Sequence, residues 1–140
     1  MKKNDGLKKF NIFFLIILVI SLIFLAVIFL KPSQIGQEEM DMYLRVGNYT
    51  GINLNSSALY FGTAMASSTV SRDIFITNIK SENIIARLDA YGSLAPWTHF
   101  SQNRIVLLGN ESKNVTVSVS IPENAKNGDY SGKVRIVFEK

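Results

Sequence analysis

His99 is the only histidine of the 140-residue chain, and no cysteine accompanies it. It is therefore the one side chain whose ordinary pKa suits proton transfer near neutral pH. Ser93 and Ser101 lie close to it in sequence and Asp89 precedes it, so a Ser-His-Asp set is the nucleophilic arrangement to weigh, though no G-x-S-x-G elbow presents either serine. Glycoside hydrolysis needs two carboxylates facing one cleft, whereas Glu111, Glu123 and Asp129 fall in separate turn-like stretches. Glu38, Glu39 and Asp41 cluster without the spacing of a calcium loop and read as a charged, solvated stalk. The lack of cysteine removes disulfides, thiol catalysis and thiolate metal sites together. The sequence predicts no enzyme, no metal and no cofactor, with His99 structural or solvated.

Two other groups of residues carry chemistry of recognition. Asn48-Tyr-Thr, Asn55-Ser-Ser, Asn110-Glu-Ser and Asn114-Val-Thr all match N-x-[ST], making Asn48, Asn55, Asn110 and Asn114 candidate glycan acceptors; the alternative is four solvated asparagines. Asn48, Asn55 and Asn110 fall in expected loops, and Asn114 points to the polar face of an expected strand. Among aromatics, Tyr43 and Tyr49 are candidate partner contacts, Tyr43 because it shares a polar face with Asp41 and Arg45. Trp97, between Pro96 and Thr98, is either a surface anchor for a partner or a plug in the core of a sandwich.

The elements that must position these residues divide the chain sharply. Phe10–Leu30 holds 21 residues with no charge and only Asn11 and Ser21 polar. As a helix it spans ~31 Å, about the thickness of a bilayer's hydrocarbon, so a single transmembrane signal-anchor helix is expected over 10–30. A cleaved signal peptide would carry a shorter apolar run and small residues at its cleavage site. Lys2, Lys3, Lys8 and Lys9 against Asp5 place the N-terminus inside and the rest outside. From Pro32 onward, ten basic residues balance ten acidic ones, so the net charge of +4 comes from residues 1–31, +3 of it from the N-terminal flank and the rest from Lys31. No clustered basic surface for nucleic acid follows from it. The expected organisation is a basic stub at 1–9, the helix at 10–30, a tether at 31–39 and an extracytoplasmic domain at 40–140.

That domain reads as strands. Met40, Met42, Leu44 and Val46 alternate with Asp41, Tyr43 and Arg45. Further strands are expected at 58–62, 70–78, 84–91 and 103–108. In KNVTVSVSI, Val115, Val117, Val119 and Ile121 oppose Asn114, Thr116, Ser118 and Ser120, and the closing strand sets Val134, Ile136 and Phe138 against Ser131, Lys133, Arg135 and Val137. Such alternation marks half-buried antiparallel strands. Turn signals separate them, so the expectation is an all-β, two-sheet sandwich of about seven strands behind the single helix.

The order of segments over roughly residues 52–138 resembles immunoglobulin-like modules found in ciliary and centrosomal proteins and in prokaryotic, including archaeal, surface proteins. ALYFGTAMASSTVSRDIFITN is similar to their opening pair of strands, and APWTHFSQNRIVLLGNESKNVTVSVSIPENAKNGDYSGKVRIVF to their "P-W"-like, "G-x-S-x-x-V-x-V-x-V-x-x-P" and "G-x-Y-x-G-x-V-x-I" strands in turn. Tyr130, two residues before Gly132, matches the spacing of a tyrosine corner, whose phenol caps a backbone carbonyl. In the family this strand is penultimate; with the sequence ending at Lys140, either Met40–Val46 or a partner's strand is expected to fill the edge. The resemblance implies a fold and little about function.

Together these readings predict a membrane-anchored, non-enzymatic surface protein, a structural or accessory module contacting a protein of the envelope or surface layer, with glycans on its exposed domain. The layout resembles the membrane-tethered accessory subunits of archaeal flagellum-like filaments. The alternative is a filament subunit cleaved after Gly6, with its sheet completed in trans.

Overall fold

In the computed structural model of the protein, residues 4–29, 33–49, 51 and 58–140 are described, without the side chains of 4–12, 26, 27 and 29. Two compact units result, Met1–Ser33 and Gln34–Lys140. The first is helix α1, Asn4–Phe29. Its described side chains from Phe13 to Leu25 are all exposed, Ser21 the only polar one among them. Among the described residues no helix is long and apolar enough to cross a membrane. The expected fold, a sandwich preceded by a single transmembrane helix over 10–30, is corrected accordingly.

The described residues of the second unit form eight strands, one more than the expected seven: β1 Gln34–Val46, β2 Leu59–Ala64, β3 Thr69–Thr77, β4 Ile84–Gly92, β5 Thr98–Phe100, β6 Arg104–Leu107, β7 Ser112–Ser120 and β8 Gly128–Glu139. The addition is β5, too short for alternation to reveal, which follows a single 3-10 turn at Ala95–Trp97. One sheet has the order β2-β1-β8-β4-β6 and the other β3-β7-β5. Inward side chains from both meet in one core that includes Met42, Leu44, Val46, Phe61, Ile74, Leu88, Leu107, Val117, Val134 and Ile136.

The last strand lies in the middle of its sheet. β8 pairs antiparallel with β4, from Ile85 opposite Glu139 to Gly92 opposite Gly132, and on its other side with β1. β1 runs the full length of that side, from Gln34 opposite Glu139 to Val46 opposite Gly128, so strand begins six residues ahead of Met40, inside the expected tether. Alternation is weak over QIGQEE, and the main-chain ladder to Val137–Glu139 is what draws it into the sheet. Met42, Leu44 and Val46 are buried, each supplying ~1.5–3 kcal/mol of gross hydrophobic stabilisation. β1 also pairs with β2, in parallel, through a register irregularity after Tyr43.

Two close approaches hold the sandwich in shape. Across β4 and β8, a Cβ on Gly132 would lie 2.6 Å from the Tyr91 carbonyl oxygen, so a larger residue would force the pair apart. At the opposite corner, a Cβ on Gly109 would sit 2.1 Å from the Ser81 carbonyl oxygen, bringing the turn after β6 against the turn before β4. The buried Asn78 joins the same turns. Its amide nitrogen donates to the Glu82 carbonyl at 2.8 Å and the Leu108 carbonyl at 2.9 Å, and its oxygen accepts from the Lys80 amide at 3.0 Å. Truncating it leaves those part-buried main-chain groups without their partner, at about 1–3 kcal/mol for an unsatisfied group. Asn78→Ala is expected to lower unfolding stability by roughly 2–3 kcal/mol in denaturant titration, whereas Asn83→Ala, at an exposed position in the same turn, stays within about 0.5 kcal/mol of the parent.

Candidate interaction surface

Residues that alternate away from the core pave the outer face of the five-stranded sheet in rows. Successive rows follow from the register. Arg45 faces Asp129; Tyr60, Tyr43 and Ser131 align; Asp41, Lys133 and Tyr91 align; Glu39, Arg135 and Asp89 align; Gln37, Val137 and Arg87 align. Opposite charges meet in nearly every charged row. Lys133 lies 3.3 Å from Glu39 and 3.7 Å from Asp41, and the Arg135 guanidinium stacks 4.2 Å above the Tyr91 ring. Arg87 bridges Asp89 and the buried Glu139, each at 3.6 Å. These pairs are mostly solvent-screened and specify the face more than they stabilise it.

Val137 departs from the expected pattern. The alternation assigns it to the polar face, which it does occupy, yet it is buried. Its strand is central, so Gln37 and Arg87 flank it on both sides and cover it.

At the β1 C-terminal end the face changes character. Tyr43 and Tyr60, directly opposite across the parallel pair, stack with ring centroids 5.1 Å apart. Tyr43 is 41% exposed and Tyr49, just past the strand, 63%. Arg45 donates to both carboxylate oxygens of Asp129, from Nε at 2.6 Å and from Nη2 at 2.9 Å. The hydrogen bond to Asp129, then its charge and a further hydrogen bond to Tyr49, push the Arg45 pKa up, and the same contact lowers that of Asp129. Three tyrosines thus stand around a pre-oriented arginine. Tyr, Trp and Arg are the side chains that dominate binding energy at protein interfaces, because they offer large contact area at low conformational cost. Sequence reading singled out Tyr43 and Tyr49 as candidate contacts and did not point to Tyr60 or the Arg45–Asp129 clasp. The signal for Tyr60 was present in LYFG, where Leu59 and Phe61 point inward and Tyr60 must point out.

The remaining candidates lie elsewhere. Trp97 is half-buried, packs on the core and sits 4.7 Å from the Tyr130 ring. Tyr130 donates its hydroxyl to the Lys126 carbonyl at 2.9 Å, the kind of bond a tyrosine corner makes. His99 is exposed on β5, facing outward from the three-stranded sheet opposite Ser118, while Asp89 faces outward from the other sheet. The core lies between them, so the Ser-His-Asp set does not assemble. Ser93 is bonded to the Ser131 carbonyl at 2.7 Å and Ser101 accepts from the Thr116 amide at 3.1 Å. Glu39 and Asp41 turn to Lys133, and among the described residues no three acidic or histidine side chains gather as a metal site. Asn48, Asn110 and Asn114 are exposed, and Asn55 lies outside the described residues.

Because Asp129 is held below its usual value by Arg45, its contribution to stability is present at neutral pH and lost as pH falls through the depressed pKa, below 3.8. Replacing it should flatten that part of the acid limb. Asp129→Asn is expected to unfold with a smaller loss of Tm between pH 5 and 2.5 than the parent, as read by circular dichroism.

No protein-family model matches the chain and no curated protein is significantly similar to it, so the reading of this surface rests on its own geometry.

Proposed function

We propose that this protein is a non-enzymatic structural or accessory module of the cell envelope, exported and held at a lipid surface by its apolar N-terminal segment, which binds a protein partner through the tyrosine-lined end of its five-stranded sheet. The observation that carries the reading is the Tyr43–Tyr60 stack beside Tyr49 and the clasped Arg45, a preformed aromatic surface on a rigid strand pair. Side chains fixed in place lose little freedom on binding, which favours recognition over their remaining exposed for no purpose. The separation of His99 from Asp89 on the outer faces of opposite sheets, with Ser93 and Ser101 engaged by main-chain groups in turns, supports a binding role over catalysis. Basic residues followed by an apolar run are features of export signals, and exposed apolar side chains from Phe13 to Leu25 call for an apolar neighbour such as lipid. An immunoglobulin-like relationship is supported by the Tyr130–Lys126 bond and by β1 beside β8, the place where a final strand would lie in that family.

A photo-crosslinking residue at position 43, in the full chain in its own cells, tests the partner-binding reading. It should yield one discrete crosslinked species, reduced at least fivefold by Tyr49→Ala combined with Arg45→Ala, while the same probe at Asp73 on the other sheet yields none. Equal, diffuse crosslinking from both positions would reject the tyrosine surface as the binding site.

A further inference from the structure

The outer face of the three-stranded sheet is paved differently. In the antiparallel register of β3 with β7, Thr69 meets Ser120, Ser71 meets Ser118, Asp73 meets Thr116 and Thr77 meets Ser112. Each of these pairs is joined by a side-chain hydrogen bond, at 3.1, 2.9, 2.6 and 2.5 Å. The row is interrupted once, where Phe75 meets Asn114. Phe75 is 76% exposed, an unshielded aromatic in a ladder of hydroxyls, and Asn114 is exposed opposite it and begins the sequon Asn114-Val115-Thr116.

We propose that Asn114 is an N-linked glycan acceptor and that Phe75 is the platform on which its first sugar rests. Directly opposite residues in an antiparallel pair have Cβ atoms ~4.5–5.5 Å apart, so a pyranose attached to the Asn114 amide nitrogen is delivered to the neighbouring ring. One face of a pyranose is lined with C–H groups, which suit the electron-rich face of an aromatic ring. The remaining hydroxyls of the sugar meet the Ser and Thr ladder on either side. Neither of the other described sequons offers this. Asn48 accepts a side-chain bond from Asn127 at 3.4 Å in a loop, and Asn110 occupies a tight turn at φ 61°.

In the attachment step, the Asn114 carboxamide nitrogen bonds to the anomeric carbon of a lipid-phosphate-linked oligosaccharide. The bond from that carbon to the phosphate oxygen breaks, its electron pair leaves with the lipid phosphate, and one amide proton passes to a base of the transferase. The Thr116 hydroxyl is already committed to Asp73 in the folded sheet, so transfer precedes closure of β7 on β3.

The proposal rests on the export in the proposed function, and the experiment separates the two. Full-length protein from its own cells is digested and the peptide bearing Asn114 is weighed, alongside protease accessibility of the domain on intact cells. A sugar-sized mass addition is expected at Asn114, absent from Asn114→Gln. The glycosylated parent should melt a few degrees above Asn114→Gln, and that difference should vanish in a Phe75→Ser background, as for two groups that act only together. A bare Asn114 overturns the proposal wherever the domain lies, and the accessibility result decides whether export falls with it. A glycan whose loss costs the same with and without Phe75 overturns the platform.

Discussion

The sandwich depends on one ladder, β1 against β8. Without it, β8 would be an edge strand, with Val134, Ile136 and Phe138 covered on the β4 side alone and a row of unpaired amides and carbonyls open to other chains. With it, the C-terminal strand becomes central and the N-terminal strand becomes the scaffold on which β2 then pairs in parallel. The first and last strands of the unit are thereby neighbours. The core closes only once the unit's first and last strands have come together, a contact of high sequence separation.

The same ladder composes the outer surface. Tyr43 reaches Tyr60 because β2 runs parallel to β1, and Arg45 reaches Asp129 because β8 runs antiparallel to it. One strand therefore carries both halves of the tyrosine surface, and its position is fixed on either side by a neighbour. The exposed edge of β2 is managed separately, Arg72 reaching from β3 to donate to the Tyr60 carbonyl at 3.0 Å. Charge pairing across β1, β8 and β4 leaves Tyr43 and Tyr49 as the large exposed aromatic area on that end of the sheet.

Much of this was legible in the residues. Period-two alternation located most strands, and in β7 it gave both faces, since Val115, Val117 and Val119 turn in while Asn114, Thr116 and Ser118 turn out. What alternation cannot supply is which strands are neighbours. The parallel pairing that stacks Tyr43 on Tyr60, the burial of Val137 between two flanking strands, and the juxtaposition of Phe75 with Asn114 all depend on partner and register. Gln34–Glu39 was unreadable for a related reason, because its polar side chains carry no pattern and its main-chain bonds decide. The Asn78 corner likewise needed three-dimensional knowledge, the sequence showing only a Thr-Asn at the end of a strand. Hydropathy over 10–30 measured apolarity and was taken for a span, which no helix among the described residues provides.

The central claim is that β1 and β8 pair within one chain. The natural absence of cysteine makes a direct measurement clean, because Asp41→Cys with Lys133→Cys introduces the only two thiols, directly opposite each other on the exposed face. Directly opposed strand positions bring Cβ atoms to ~4.5–5.5 Å, within small adjustment of disulfide geometry. Under mild oxidation at low protein concentration, pairing in cis predicts a monomer of unchanged mass apart from the loss of two hydrogens, with no free thiol. Covalent dimers or longer chains joined through the same two positions would mean that β1 completes the sheet of a neighbouring molecule, and would contradict the account.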